Sequence, residues 1–214
     1  MYKTIYVWEF PVRLTHWLNV VSIAVLSITG FYIGRPFIQA TVSEQYIMGW
    51  VRFLHFVAAY VFTLCFVVRI YWAFAGNAYA RWKEFIPVTA KRWKDVFGFL
   101  SYYLFLRKKP PFFIGHSALA GIVYAGLFLL FFVEIVTGFA LYSQCHQGTF
   151  WQIMGGWLLP IISSQTIRFY HHLIMWLVIT FFVVHKYTAW IIDIVERGST
   201  LSSIFSGFKT IREE

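Results

Sequence analysis

Histidine is the residue type whose spacing carries chemistry in this chain. Seven occur: His16, His55, His116, His146, His171, His172 and His185. His171 and His185 are fourteen residues apart. On an α-helix, fourteen steps of about 100° fall only about 40° short of four full turns, so both imidazoles share one face. Their separation along the axis is about 21 Å. His172 falls on nearly the opposite face. The same interval links His16 to Gly30 and His55 to Arg69. Imidazoles arranged in pairs could fill both axial positions of a haem iron. Such an iron keeps no open site for oxygen or peroxide and is suited to electron transfer. No Cys-x-x-Cys-His is present, so any haem is held by coordination alone.

The elements that must position these side chains are membrane helices. The 214 residues are 59% hydrophobic and only 13% charged, where a soluble domain carries about a quarter. Four apolar spans are predicted, at about Trp17–Gly34, Trp50–Ala75, Phe112–Tyr142 and Ile167–Ile192. Each is long enough to cross about 30 Å of hydrocarbon. The fold class expected is therefore all-α, an integral membrane four-helix bundle in a single domain, with no internal repeat of 20–50 residues. Trp17–Gly34 is too long and too aromatic for a signal peptide and reads as a retained helix.

Topology follows from charge. The net charge is +9, but the basic residues lie mainly between spans rather than in a nucleic-acid-binding patch. The loop after span two carries Arg81, Lys83, Lys91, Arg92, Lys94, Arg107, Lys108 and Lys109 against Glu84 and Asp95. By the positive-inside rule this loop and both termini are cytoplasmic. His16 then matches His185 in depth near the cytoplasmic side, and His55 matches His171 near the outer side. These four are the expected ligands of two haems.

Other residues carry weaker expectations. Gly30 would let the outer haem approach the backbone, although Gly30-Phe-Tyr-Ile-Gly34 also reads as a helix-packing G-x-x-x-G. Arg69 could pair with a propionate of the inner haem or snorkel to the interface. Glu134, deep in span three, could serve a proton or quinone role or bond a neighbouring helix. His116, at the start of span three, could exchange protons with a quinone or be an interfacial histidine. His146 beside Cys145 reads as solvated or as touching an outer partner, and His172 as facing a neighbouring helix or lipid. If helical, the segment Gly198–Glu214 would turn Leu201, Ile204, Phe205 and Phe208 toward lipid.

The stretches Val7-Trp-Glu-Phe-Pro-Val-Arg-Leu-Thr-His16-Trp and Arg69-Ile-Tyr-Trp-Ala-Phe-Ala-Gly-Asn77-Ala-Tyr-Ala-Arg81-Trp resemble the b-type cytochrome subunit of membrane-bound nickel–iron hydrogenases. So do His171-His-Leu-Ile-Met-Trp, His185-Lys-Tyr and Ser202-Ser-Ile-Phe-Ser-Gly207-Phe. The resemblance runs from about residue 5 to about residue 210, within the cytochrome b561 and formate dehydrogenase gamma-like superfamily. It implies a multi-pass protein of the bacterial inner membrane that anchors the iron–sulfur small subunit and the nickel–iron large subunit. It also implies two haems b, His55 with His171 nearer the periplasm and His16 with His185 nearer the cytoplasm, delivering electrons to quinone.

Two other readings compete. The four histidines also resemble a formate-dehydrogenase-type gamma subunit or a stand-alone di-haem cytochrome. A haem-free proton-coupled transporter is the alternative from another class. No span shows the glycine- or proline-interrupted pattern of a transport site, and no acidic cluster accompanies the histidines.

Overall fold

The computed structural model describes residues 2–38, 41, 45–196 and 199–212. Four helices among them are long and apolar enough to cross a membrane. These are α1 (Phe10–Gly34), α2 (Ile47–Ala75), α4 (Ala118–Ser143) and α6 (Ser164–Glu196). Between them lie α3 (Ala90–Tyr103) and α5 (Thr149–Met154). The ends of the chain form β1 (Tyr2–Tyr6), α7 (Thr200–Ser206) and β2 (Phe208–Arg212). Each expected span overlaps one of these helices; α2 and α6 each begin three residues earlier than expected, and α6 ends four residues later. Helix α1 begins seven residues earlier than expected. Helix α4 begins six residues later, which leaves His116 ahead of it.

The chain forms two compact units. One comprises Met1–Thr15, Val67–Leu129 and Val183–Glu214, the other His16–Phe66 and Leu130–Phe182.

The first unit is built around a clasp of the chain's two ends. β1 and β2 pair antiparallel, with Thr4 opposite Thr210. Gly207 ends α7 in the left-handed region, at φ +89°. A Cβ there would lie 2.7 Å from the Trp8 carbonyl, and glycine alone escapes that cost. The Gly207 carbonyl accepts from the backbone N–H groups of Val7 and Trp8 at 2.8 and 3.0 Å. The Trp8 indole donates to Ser203 Oγ at 3.1 Å. Val7, Trp8, Val12 and Ala80 form a small core, against which Ile204 packs.

The C-terminal expectation is thereby corrected. Only Thr200–Ser206 is helical, Ile204 faces the core, and Phe208 belongs to a strand. Phe205 does remain exposed. Gly198, Glu213 and Glu214 lie outside the described residues.

A second tie joins the start of α1 to the turn after α2. Glu9 Oε2 accepts from the Trp72 indole and from the Asn77 backbone N–H, both at 2.8 Å. Asn77 donates to the Val7 carbonyl at 2.9 Å, and its side-chain oxygen accepts from the N–H groups of Tyr79 and Ala80. One side chain thus bonds three backbone groups, one ahead of α1 and two in the turn after α2.

Helix α3 crosses what the sequence presented as a basic loop. Thr89 caps it, accepting from the Arg92 N–H. Val96 and Phe99 are buried, while Trp93, Phe97, Leu100 and Leu104 form an exposed stripe at helical spacing.

In the second unit, segments of the four long helices touch in a ring. Thr29 of α1 bonds His55 of α2, and Phe56 and Phe62 of α2 meet Tyr142 and Phe131 of α4. Thr137 of α4 bonds His171 of α6, and Phe31 of α1 meets Trp176 of α6. This is a four-helix bundle whose polar contacts fall on histidines.

Candidate functional site

In the second unit, His55 and His171 are held by the same device. The Thr29 hydroxyl has one proton and donates it to the Val25 carbonyl at 2.6 Å. Its oxygen stands 2.8 Å from His55 Nδ1 and can only accept from it. Thr137 donates to the Val133 carbonyl at 2.7 Å and lies 2.9 Å from His171 Nδ1. Both imidazoles therefore carry their proton on Nδ1 and present Nε2 as a lone pair, the form in which histidine binds a metal.

Each threonine is followed by a glycine beneath the imidazole. A Cβ at Gly30 would lie 3.6 Å from His55 Cε1 and from Met175 Sδ; one at Gly138 would lie 3.4 Å from His171 Cε1. The tripeptide Thr-Gly-Phe occurs twice, at 29–31 and 137–139, and builds both seats. That repeat is the signal sequence reasoning passed over. Gly30 was singled out, but its neighbour Thr29 makes the hydrogen bond.

His172 is held differently. Its Nδ1 donates to the Arg168 carbonyl at 2.9 Å. Its Nε2 sits in the notch at Gly34, where a Cβ would come within 2.9 Å. The two glycines of the G-x-x-x-G thus serve two histidines, Gly30 for His55 and Gly34 for His172. Of the two expectations for His172, a neighbouring helix or lipid, this placement is the first.

Glu134 is the other polar group here. Its Oε2 lies 2.5 Å from His171 Nδ1, with its side chain 15% exposed. Of the alternatives read from sequence, the structure brings it onto a neighbouring helix. His146, in the segment after α4, stacks on Tyr142 with centroids 4.1 Å apart and is otherwise exposed. His16 lies in this unit on α1, its ring 5.2 Å from that of Trp17.

The first unit contains His185, His116 and Arg69. His185 Nδ1 is 3.2 Å from the Tyr124 hydroxyl, and the Tyr124 ring meets His116 edge-on at 4.8 Å. Trp8 and Phe85 also enclose His116, at 4.7 and 5.3 Å. Burial pushes the His116 imidazole down to about 3, with positive charge from Arg69, His185, Arg92 and Lys209 adding to the effect. The neutral imidazole, with one N–H, is therefore the favoured form at pH 7. Arg69 is buried, 8% exposed. Its guanidinium lies over Phe85 at 5.2 Å, and Nη1 reaches toward the Ala80 carbonyl at 3.4 Å. It does not snorkel.

Residues 7–207 match the prokaryotic cytochrome b561 family. The chain belongs to that family. A probable Ni/Fe-hydrogenase B-type cytochrome subunit of Cupriavidus necator is 42% identical over 222 residues, covering 99% of this chain and 89% of the relative. The protein of that name from Bradyrhizobium diazoefficiens is 41% identical over 98% of this chain and 87% of its own length. A probable Ni/Fe-hydrogenase 1 B-type cytochrome subunit of Escherichia coli is 38% identical over 96% of this chain and 90% of its own length.

A cytochrome of the b type holds haem. The donor set fits it: two imidazoles in one unit, each with Nδ1–H already donated and Nε2 available, each over a glycine. His55 and His171 would hold one such group. The family membership and the four apolar helices make this an integral membrane protein.

Proposed function

We propose that this cytochrome b561 is the membrane anchor and electron-transfer subunit of a nickel–iron hydrogenase, carrying electrons from the hydrogenase through two haems b to the quinone pool. The paired Thr–His seats carry this reading. Two imidazoles of one unit are fixed in the tautomer that leaves Nε2 for iron, as bis-histidine ligation requires. The names of the relatives supply the partner.

When bound, haem would supply one-electron transfer. The chain's own residues do the rest. Thr29 and Thr137 hold the ligand rings in tautomer and orientation, so little rearrangement is needed when charge changes. Phe56, Phe62, Phe131 and Tyr142 pack between α2 and α4 and keep water out. His55 and His171 would serve the haem nearer the hydrogenase and the periplasm. For the second haem, matched depth along the spans supports His16 and His185. The excess of Lys and Arg after the second span supports cytoplasmic termini, and a bacterial inner membrane is the location proposed.

The test is a dithionite-reduced minus oxidised spectrum with pyridine-haemochrome quantitation on the full chain in mild detergent. Wild type should hold about two haems b. Single alanine substitutions at His16, His55, His171 and His185 should each lose or alter one haem, and His172→Ala should leave both. A haem-free protein, or loss at His172 in place of His171, would sink the reading. Co-purification with a nickel–iron protein, and not a molybdenum or tungsten one, tests the partner.

A further inference from the structure

Helix α3 belongs to the segment between two membrane spans, α2 and α4. A chain that leaves the bilayer after one span and re-enters with the next keeps the connecting segment at one membrane surface. At about 100° per residue, Trp93, Phe97, Leu100 and the following Leu104 fall within about 60° of one another. All four are exposed, by 44% to 61%. To one side of this stripe Val96 and Phe99 are buried, Phe99 meeting Phe113 with ring centroids 5.5 Å apart. Arg92 lies on that side too, paired with Glu84 at 2.7 Å. Round the other way, at about 100° to 200° from Trp93, come Lys94, Lys91 and Asp95, with both lysines exposed. A helix held by its own protein along one side, apolar below and charged above, suits the boundary between hydrocarbon and water.

The turn after α3 extends the pattern. Leu104, Phe105 and Leu106 are 58%, 95% and 79% exposed. Phe105 takes the left-handed conformation, at φ 60°, which costs a residue with a side chain. Arg107, Lys108 and Lys109 follow, all exposed. Arg107 and Lys108 also line a groove of about 510 Å³ whose walls include Phe99, Phe113, Tyr187 and Ile191. Apolar walls beside two cations match a phospholipid, which joins apolar chains to an anionic phosphate.

We propose that α3 and the turn after it dock on the leaflet beside them and select anionic phospholipid. The stripe, with Phe105 and Leu106, lies among acyl chains, while Lys94, Lys108 and Lys109 reach phosphates. Charge decides the occupant. Lys91, Lys94, Arg107, Lys108 and Lys109 surround the stripe, and the single carboxylate of α3, Asp95, lies opposite it. A second copy docked by the same face would set these cations against their own kind; an anionic leaflet complements them.

The experiment uses the full-length haem-loaded protein in nanodiscs of equal parts phosphatidylcholine and phosphatidylglycerol, with the chains of one lipid or the other brominated. A bimane fluorophore is placed on Phe97→Cys in a Cys145→Ser background. Cys65 is buried, and the background protein alone reports any label it takes. Both brominated lipids should quench the fluorophore, brominated phosphatidylglycerol about twofold more strongly, and aqueous iodide should quench it little. Combining Lys94→Gln, Lys108→Gln and Lys109→Gln should make the two lipids equal.

Quenching by iodide alone would place the stripe in water. Quenching by neither lipid nor iodide would mean that a second copy or another protein covers it. Equal quenching by the two lipids in the wild-type charge background would remove the anionic preference, and a preference that survives the triple variant would remove its cause. Each of these results overturns the proposal. Should the labelled protein lose its haem spectrum, unsubstituted protein decides: photoactivatable phosphatidylglycerol should crosslink to residues 90–109 more than photoactivatable phosphatidylcholine. Equal or absent crosslinking there overturns the proposal as well.

Discussion

Thr29 accepts the Nδ1–H of His55 at 2.8 Å while giving its own proton to the carbonyl four residues back in α1. A hydroxyl inside an apolar helix satisfies itself against its own backbone and still has a lone pair to offer. Because its proton is already committed, the direction of the bond to histidine is fixed. The same holds for Thr137 and His171.

Removing that acceptor should loosen the ligand without unfolding the helix. Thr29→Val and Thr137→Val are expected to lower haem affinity about 10–100-fold, measured by haem transfer to an apo-globin acceptor. Serine at either position keeps the hydroxyl and should restore most of the affinity. Equal transfer rates for valine and wild type would show that the threonines have no part in holding the ring.

Gly34 and His172 should be coupled. A Cβ at Gly34 meets the His172 ring end, so Gly34→Ala forces that ring to move. A loss of about 1 kcal/mol is expected, in the ordinary range for single substitutions. In the double variant with His172→Ala the penalty at position 34 should largely vanish. Thermal unfolding of the four proteins of this cycle measures it, and additive effects would contradict the contact.

The clasp of the chain ends makes a stability prediction. Trp8→Phe removes the indole donor to Ser203 and should cost about 1 kcal/mol. Gly207→Ala should cost more, because its Cβ meets the Trp8 carbonyl and its φ is positive. Limited proteolysis should cut the C-terminal segment faster in Gly207→Ala. Unchanged cleavage would argue against the clasp.

His116 should make the first unit acid-sensitive. Its value falls from 6.5 unfolded to about 3 folded, so between those limits the unfolded chain binds the extra proton. Stability rises with pH wherever the unfolded state binds more protons. The contribution of His116 is thus fully present above pH 6.5 and is lost progressively as pH falls toward 3, at about 1.4 kcal/mol per pH unit at the steepest. Thermal melts from pH 7.5 to 4.5 should show a shallower decline in His116→Asn than in wild type. Parallel declines would place the sensitivity elsewhere.

Sequence alone determined the four spans, because crossing hydrocarbon demands long apolar helices whatever they pack against. It also placed His171, and not His172, fourteen residues from His185, an interval that in a regular helix returns to the same face. It held the repeated Thr-Gly-Phe as well, although a lone Thr-Gly in a membrane helix reads as ordinary packing until a histidine is seen above it. Only the tertiary structure decided what Glu134 touches, because the position of His171 against α4 depends on how two distant helices meet. The pairing of β1 with β2 lies beyond periodicity for the same reason: the strands stand about 200 residues apart, and neither has a partner until the chain has folded. Local rules set what each segment becomes, and packing between segments sets which side chain answers which histidine.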